Sequence, residues 1–352
     1  MSEEDINEHY VPQSYLRLFS PPGRDIISRY SLKDKHGGGE YYPPYDEYSI
    51  KTAASEVGFA DGWLEGNDVT EAENEMIGTI RKLRDRVSLT ERDISSLSGF
   101  IAFQKSRTPT SKLHFEGRQL LGDIIDNKAE FLDFDLDQGW ETVVTHNANS
   151  GHEALQHMGW VLIENDTSTP FITSDDPIVH YFDCPFEEVD TAIFQMENRE
   201  IYCPLGPDLL LVLLDPSVFD VGSQYPSTDI QRVAVDDAVE INKVNFLQTI
   251  NAFREIFGPV DYGDYLEDIV ETLCDRFPDE AYIRGPARSL REIEVAQRVG
   301  SGHIESEKEK EWYLSKGREI TRSRQKKTRA IWEFKHEIGL IESLRLDKKS
   351  LS

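Results

Sequence analysis

The stretch DLLLVLLDP, residues 208–216, sets six consecutive apolar side chains between Asp208 and the pair Asp215-Pro216. A run of this length suits a strand and is far too short to cross a bilayer, which takes roughly 20 apolar residues. Successive side chains on a strand point to opposite faces, so an unbroken apolar run reads as a strand covered on both sides. Its neighbours share this grammar. HMGWVLIEND (157–166), PFITSDDPIVHYF (170–182) and AIFQMENREIYCPLGP (192–207) are short apolar runs bounded by turn residues.

Outward from this block the spacing becomes helical. Pro12 reads as the first position of a helix carrying Tyr15, Leu16 and Phe19. DIISRYSL (25–32) reads as a strand and YYPPYDEYSI (41–50) as its irregular return. Helices are expected over 51–58, 70–87, 90–107 and 111–132, and the polar stretch 133–150 as a loop. In 90–107, Ile94, Leu97, Ile101 and Gln104 share one stripe, with Phe100 and Arg107 alongside. AVDDAVEINKVNFLQTINAFREIFG (234–258) returns to helical spacing through Val239, Val244, Leu247, Ile250 and Phe253. Strands gathered between two groups of helices predict an α+β fold: a helical N-terminal half packed on a mixed or antiparallel sheet, with a C-terminal helical extension.

Charge divides the chain. It carries 65 acidic and 38 basic residues in 352, a formal net charge of −27. Residues 289–352 hold 15 basic and 11 acidic side chains, so the first 288 residues carry the whole excess, −31. An α+β domain over 1–288 and a basic, charge-rich extension over 289–352 are expected. Self-repulsion of this size destabilises a compact state in dilute salt, whereas a Debye length of about 3 Å at 1 M screens it. With 22 Arg against 16 Lys and little Cys, the composition points to a salt-rich, haloarchaeal cytoplasm. Three well-separated cysteines (Cys184, Cys203, Cys274) support neither a disulfide framework nor a thiolate zinc site. The acidic N-terminus is no signal peptide, which adds to the cytoplasmic expectation.

Several motif spellings fail on spacing. HGGG (36–39) has no G-x-S-x-G partner. In HEALQH (152–157) the histidines are five apart, one too many for a shared zinc on a helix face. DFDLDQG (133–139) lacks the turn glycine and the closing glutamate of a calcium loop.

Five segments do recur together: HYVPQSYLRLF (9–19), FIAFQKSRTP (100–109), FITSDDPIV (171–179), YCPLGPDLLLVL (202–213) and the helix containing VNFLQTINAFREIFG (244–258). In this order they resemble the bacterial and archaeal family called domain of unknown function 4238, over about residues 5–260. The family pattern is H-x-x-P-Q-x-Y-L-x-x-F, Q-x-x-R, F-x-x-S-D-x-P and P-L. Asp176 departs from it where the S-D-N-P form has Asn. The resemblance implies no activity.

The polar members of the pattern are the candidate site: His9, Arg107 and Asp175 as catalytic residues, with Gln13, Gln104 and Ser174 binding substrate. Gln104 and Arg107, three apart, share a helix face and can grip a carboxylate or phosphate. His9 can exchange a proton near neutral pH with Asp175 setting its tautomer, while Arg107 stabilises developing negative charge. That set suits phosphodiester cleavage, with nucleic acid as a candidate substrate, and Asp175 with Asp176 could ligate Mg²⁺. A second reading stands beside this hydrolase: a non-catalytic binding or assembly module in which the same residues form a buried structural network. The basic run RSRQKKTRA (322–330), flanked by Trp312, Tyr313, Trp332 and Phe334, adds a candidate contact for nucleic acid. Docking of 312–335 against the acidic body, or against a second subunit, is the other use.

Overall fold

The six side chains of Leu209–Leu214 are all buried, and the rest of the fold is arranged to cover them. The computed structural model describes residues 11–24, 26–32, 47–49, 67–108, 111, 136–182, 199–221, 230–253, 255–278, 329–331, 334–335, 337–341 and 344–345. The expected helices over 51–58 and 111–132, nearly all of it, lie outside these residues, as does the basic run up to residue 328.

The strands are β1 (Ile26–Ser31), β2 (Glu47–Ser49), β3 (Gly159–Asn165), β4 (Thr173–Ser174), β5 (Val179–Phe182), β6 (Arg199–Gly206), β7 (Leu209–Leu214), β8 (Gln231–Val235) and β9 (Glu255–Gly258). The helices are α1 (Gln13–Leu16, continued by a 3₁₀ turn over Arg17–Phe19), α2 (Asn67–Arg84), α3 (Glu91–Ser106), α4 (Leu136–Gln156), α5 (Ala238–Asn251) and α6 (Gly263–Arg276). One sheet has the order β2-β1-β9-β4 and is antiparallel. The other runs β5-β6-β7-β3-β8, antiparallel except for the parallel pair β3–β8. The fold is α+β, as expected.

Strand β7 sits centrally in the larger sheet and sends Leu209, Leu211 and Leu213 to one face. There they join Trp160, Leu162, Ile201 and Cys203 beneath α1, α2 and α3. Leu210, Val212 and Leu214 enter the opposite core with Val161, Tyr181 and Tyr202, beneath α5 and α6. Ala330, Ile331, Phe334, Ile338 and Ile341 belong to this second core. The described part of the C-terminal region is therefore docked within the chain. Lys335 fastens it: its Nζ lies 2.9 Å from Glu200 Oε2, with both side chains 2% exposed. The Tyr202 hydroxyl donates to the same oxygen at 2.6 Å. The charge shift near residue 288 is accompanied by no separate core among the described residues.

Three local expectations are corrected. Residues 136–156 form a helix, whereas 133–150 read as a loop from their polarity. Val144, Gly151 and Leu155 are buried at seven- and four-residue spacings, a helical stripe diluted by polar residues that bond across to α3. His152 Nε2 lies 3.0 Å from Ser95 Oγ, and a Cβ on Gly99 would stand 3.9 Å from His152 Cδ2. The second correction concerns Phe253, which lies beyond α5. That helix stops at Asn251, and Glu255–Gly258 become an inner strand of the smaller sheet. Val239, read as part of the apolar stripe, is exposed.

Helix α3 begins with a capping box. Thr90 Oγ1 accepts from Asp93 N, and the Asp93 carboxylate accepts from Thr90 N at 2.8 Å. Burial pushes the Asp93 carboxyl up, but hydrogen bonds from Lys82 Nζ at 2.6 Å and from Thr90 outweigh it and hold the group at about 2. A carboxyl depressed in the folded state contributes stability that is full above its unfolded value, near 3.8, and lost as pH falls towards 2. Asp93→Asn should therefore lower stability at pH 7 by about 1 kcal/mol, allowing for screening at half-exposed Lys82. It should also flatten the acid limb of a urea-midpoint-against-pH curve below pH 4. An unchanged acid limb would refute this role of Asp93.

Candidate functional site

The segment Pro170–Ile178 carries the signature Ser174-Asp175-Asp176-Pro177. It pairs as a strand only over Thr173 and Ser174, yet Ser174, Asp175 and Asp176 are all buried. Its remaining backbone polar groups must find other partners, and α5 supplies three of them at three-residue spacing. Asn245 Nδ2 donates to Pro170 O at 2.8 Å, and Asn245 Oδ1 accepts from Ile172 N at 3.1 Å. Gln248 Nε2 donates to Ser174 Oγ at 2.8 Å and to Asp176 O at 3.4 Å. Asn251 Nδ2 donates to Asp176 O at 2.6 Å and to Ile178 O at 3.2 Å.

Within the segment, Ser174 Oγ accepts from Asp176 N at 3.2 Å, a side-chain turn. Asp175 Oδ1 accepts from Phe253 N at 2.8 Å, and Asp175 N donates to Glu255 O at 3.1 Å. Asp175 thereby holds the connection that turns α5 into β9. Asp176 points elsewhere: its Oδ1 accepts from Lys105 Nζ at 3.0 Å, and Lys105 also donates to Ile178 O at 2.9 Å. The neighbouring carboxylates thus serve different partners and do not converge as a Mg²⁺ pair would. Among the described residues there is no group of three His, Cys, Asp or Glu side chains able to hold a metal.

Arg107, just past the end of α3, is 1% exposed. Its Nε donates to Gln104 Oε1 at 3.0 Å, its Nη2 donates to Glu73 Oε1 at 2.8 Å, and its guanidinium lies 4.8 Å from the Phe103 ring centroid. Gln104 and Arg107 thus meet as their spacing suggested, but they face Glu73 of α2. Gln13 is half-buried, and its Oε1 accepts from Arg17 Nη2 at 3.1 Å. His9 lies outside the described residues. Of the remaining candidates, the structure gathers Ser174 with Asp175 and Asp176, and Gln104 with Arg107.

The other signature segments act as joints. The Tyr15 hydroxyl donates to Pro204 O at 2.5 Å and lies 3.1 Å from Thr173 Oγ1, tying α1 to one strand of each sheet. Gly206 has φ +147°, and a Cβ there would stand 1.7 Å from Arg84 Nη2. The missing side chain lets Arg84 reach Leu205 O at 3.0 Å and Asp208 at the β6–β7 turn. Sequence reasoning missed Lys105, Glu73, Asn245, Gln248 and Asn251. The signal for the last three was amides recurring at helical spacing in an otherwise apolar stretch.

These joints coincide with the segments on which the family resemblance rests. The family model described as Protein of unknown function (DUF4238) matches residues 7–260, and the chain belongs to this family. No curated protein and no solved structure matches it. No helix among the described residues is long and apolar enough to cross a membrane.

Asp175→Ala strands the buried Phe253 N–H and should cost about 1–3 kcal/mol in urea unfolding. Asp175→Asn keeps an acceptor oxygen and should cost less. Equal, near-zero losses in both variants would show that Asp175 is no brace.

Proposed function

We propose that this chain is a non-catalytic binding or assembly module in which Gln104, Arg107, Ser174 and Asp175 form a structural network. The observation that carries this reading is the state of Arg107: buried, and engaged by Glu73 and Gln104 rather than turned to an opening. A phosphodiester hydrolase centred on His9, Arg107 and Asp175 needs the guanidinium free to meet substrate and Asp175 free to orient the histidine. Asp175 is 2% exposed, and its Oδ1 accepts from Phe253 N. Burial with satisfied partners is what a network requires.

Removing one member of such a pair leaves the other desolvated, so Arg107→Ala should lower unfolding free energy by about 3 kcal/mol. Glu73→Gln should lose less, and the double variant should show coupling in a mutant cycle. Unchanged or raised stability in Arg107→Ala would indicate a residue held for function and return weight to the hydrolase. Wild-type protein with DNA, RNA or bis(p-nitrophenyl) phosphate, with and without Mg²⁺, should show no turnover. Turnover lost in Arg107→Lys would overturn the module reading.

The net charge of −27 supports a salt-rich cytoplasm as the working medium. The melting temperature should rise between about 0.1 M and about 2 M KCl as carboxylate repulsion is screened. A flat or falling dependence would argue for an ordinary acidic protein.

A further inference from the structure

Where β5 pairs with β6 in the larger sheet, three nitrogen-bearing side chains gather on one face. His180 stands opposite Ile201, and Phe182 opposite Arg199. The register therefore puts the His180 and Arg199 side chains on one face as diagonal neighbours, about 7–8 Å apart at their Cα atoms. Lys105 reaches the same place from the end of α3, its Nζ anchored on Asp176 Oδ1 at 3.0 Å and on Ile178 O at 2.9 Å. Nε and Nη1 of Arg199 are buried and meet no acceptor among the described residues. Asp215 N donates to Arg199 O at 3.0 Å, and the Asp215 charge acts on the Arg199 side chain. Across Lys105, Asp176 Oδ2 is likewise buried with no donor among the described residues.

Leaving charged donors desolvated and unmatched is expensive. The Nε–Nη edge of a guanidinium is also the edge that takes two oxygens of one oxyanion side by side. His180 fits this picture. Burial first, then the charges of Lys105 and Arg199, holds its imidazole well below its ordinary value. An anion placed among these groups would oppose the second effect and favour the protonated ring.

We propose that Arg199, Lys105 and His180 form a binding site for a small oxyanion, the phosphate or carboxylate group of a metabolite. Arg199 grips two of its oxygens, Lys105 supplies the second positive charge, and His180 lies beside them. The unmatched Asp176 Oδ2 would accept from a hydroxyl on the same ligand. This deepens the reading as a binding module by naming the ligand chemistry, and it uses none of Gln104, Arg107, Ser174 and Asp175.

The test titrates the full chain with sodium phosphate and, separately, with sodium acetate, at ionic strength held constant with KCl. A saturable rise in melting temperature with one or both anions is expected, and which one responds separates phosphate from carboxylate. In Arg199→Gln the affinity should fall at least tenfold. In ¹⁵N-labelled wild type the His180 ring resonances should shift with the same midpoint, a readout that needs no variant to fold. The site is overturned if neither anion raises the melting temperature, if Arg199→Gln responds like wild type, or if the His180 resonances do not move. Its failure leaves the Arg107→Ala result standing. Conversely, an Arg107→Ala variant of unchanged stability would remove the network while anion binding persisted.

Discussion

A strand with no face turned to water must be covered twice, and the architecture follows from that need at β7. All six of its side chains are buried, and the strand lies between β6 and β3. Burying one leucine stabilises by about 1.5–3 kcal/mol, so neither face can be left bare cheaply. The helices of the N-terminal half cover the Leu211 face. The Val212 face needs α5, α6 and the distant Ala330, Ile331, Phe334, Ile338, Ile341 and Leu344. Glu200, beside β7, then decides how that last cover attaches. A buried carboxylate must be paired, and Lys335 supplies the charge while Tyr202 supplies a hydrogen bond. Burial first, and then the Glu200 charge, pushes the Tyr202 phenol well above its ordinary value, so that it remains a donor.

The second constraint is the segment 170–178, which crosses the interior with almost no strand pairing. Irregular backbone in a buried layer is tolerated only where each N–H and C=O is met. The amides of Asn245, Gln248 and Asn251 meet them from one side and Lys105 from the other. Asp175 closes the arrangement by holding the backbone just after α5. Hydrogen bonds of this kind add little net stability each, but they admit few alternatives. The S-D-x-P spelling is then a device for seating one layer on another. Arg107 does the same where α3 meets α2, and Tyr15 where α1 meets both sheets.

Conformity with the family pattern and availability for chemistry separate in this protein. The described signature residues are engaged by other parts of the chain, whereas Arg199, whose Nε and Nη1 meet no acceptor among the described residues, stands at the start of β6, outside the five signature segments. Lys105 and Asp176 connect the two regions. The Asp176 carboxylate gives Lys105 a charged partner that an amide would not.

Elements whose side-chain pattern repeats with the geometry of their own backbone were legible in the sequence. They include the doubly buried β7, the strands around it, the α3 stripe through Ile94, Leu97 and Ile101, the pairing of Gln104 with Arg107, and with them the α+β class. Elements whose polar groups are answered from far along the chain were not. Helix α4 read as loop because its polar side chains, His152 among them, are met by residues such as Ser95 of α3. Phe253 read as helical because only pairing with β1 and β4 makes Glu255–Gly258 a strand. The candidate residues were recognisable as polar groups in apolar surroundings, but their partners were not. Glu73, Lys105 and Phe253 N lie 34, 71 and 78 positions from the groups they satisfy. Local spacing carries local geometry, whereas the burial of a charge and the identity of its counter-group are settled only when distant segments pack.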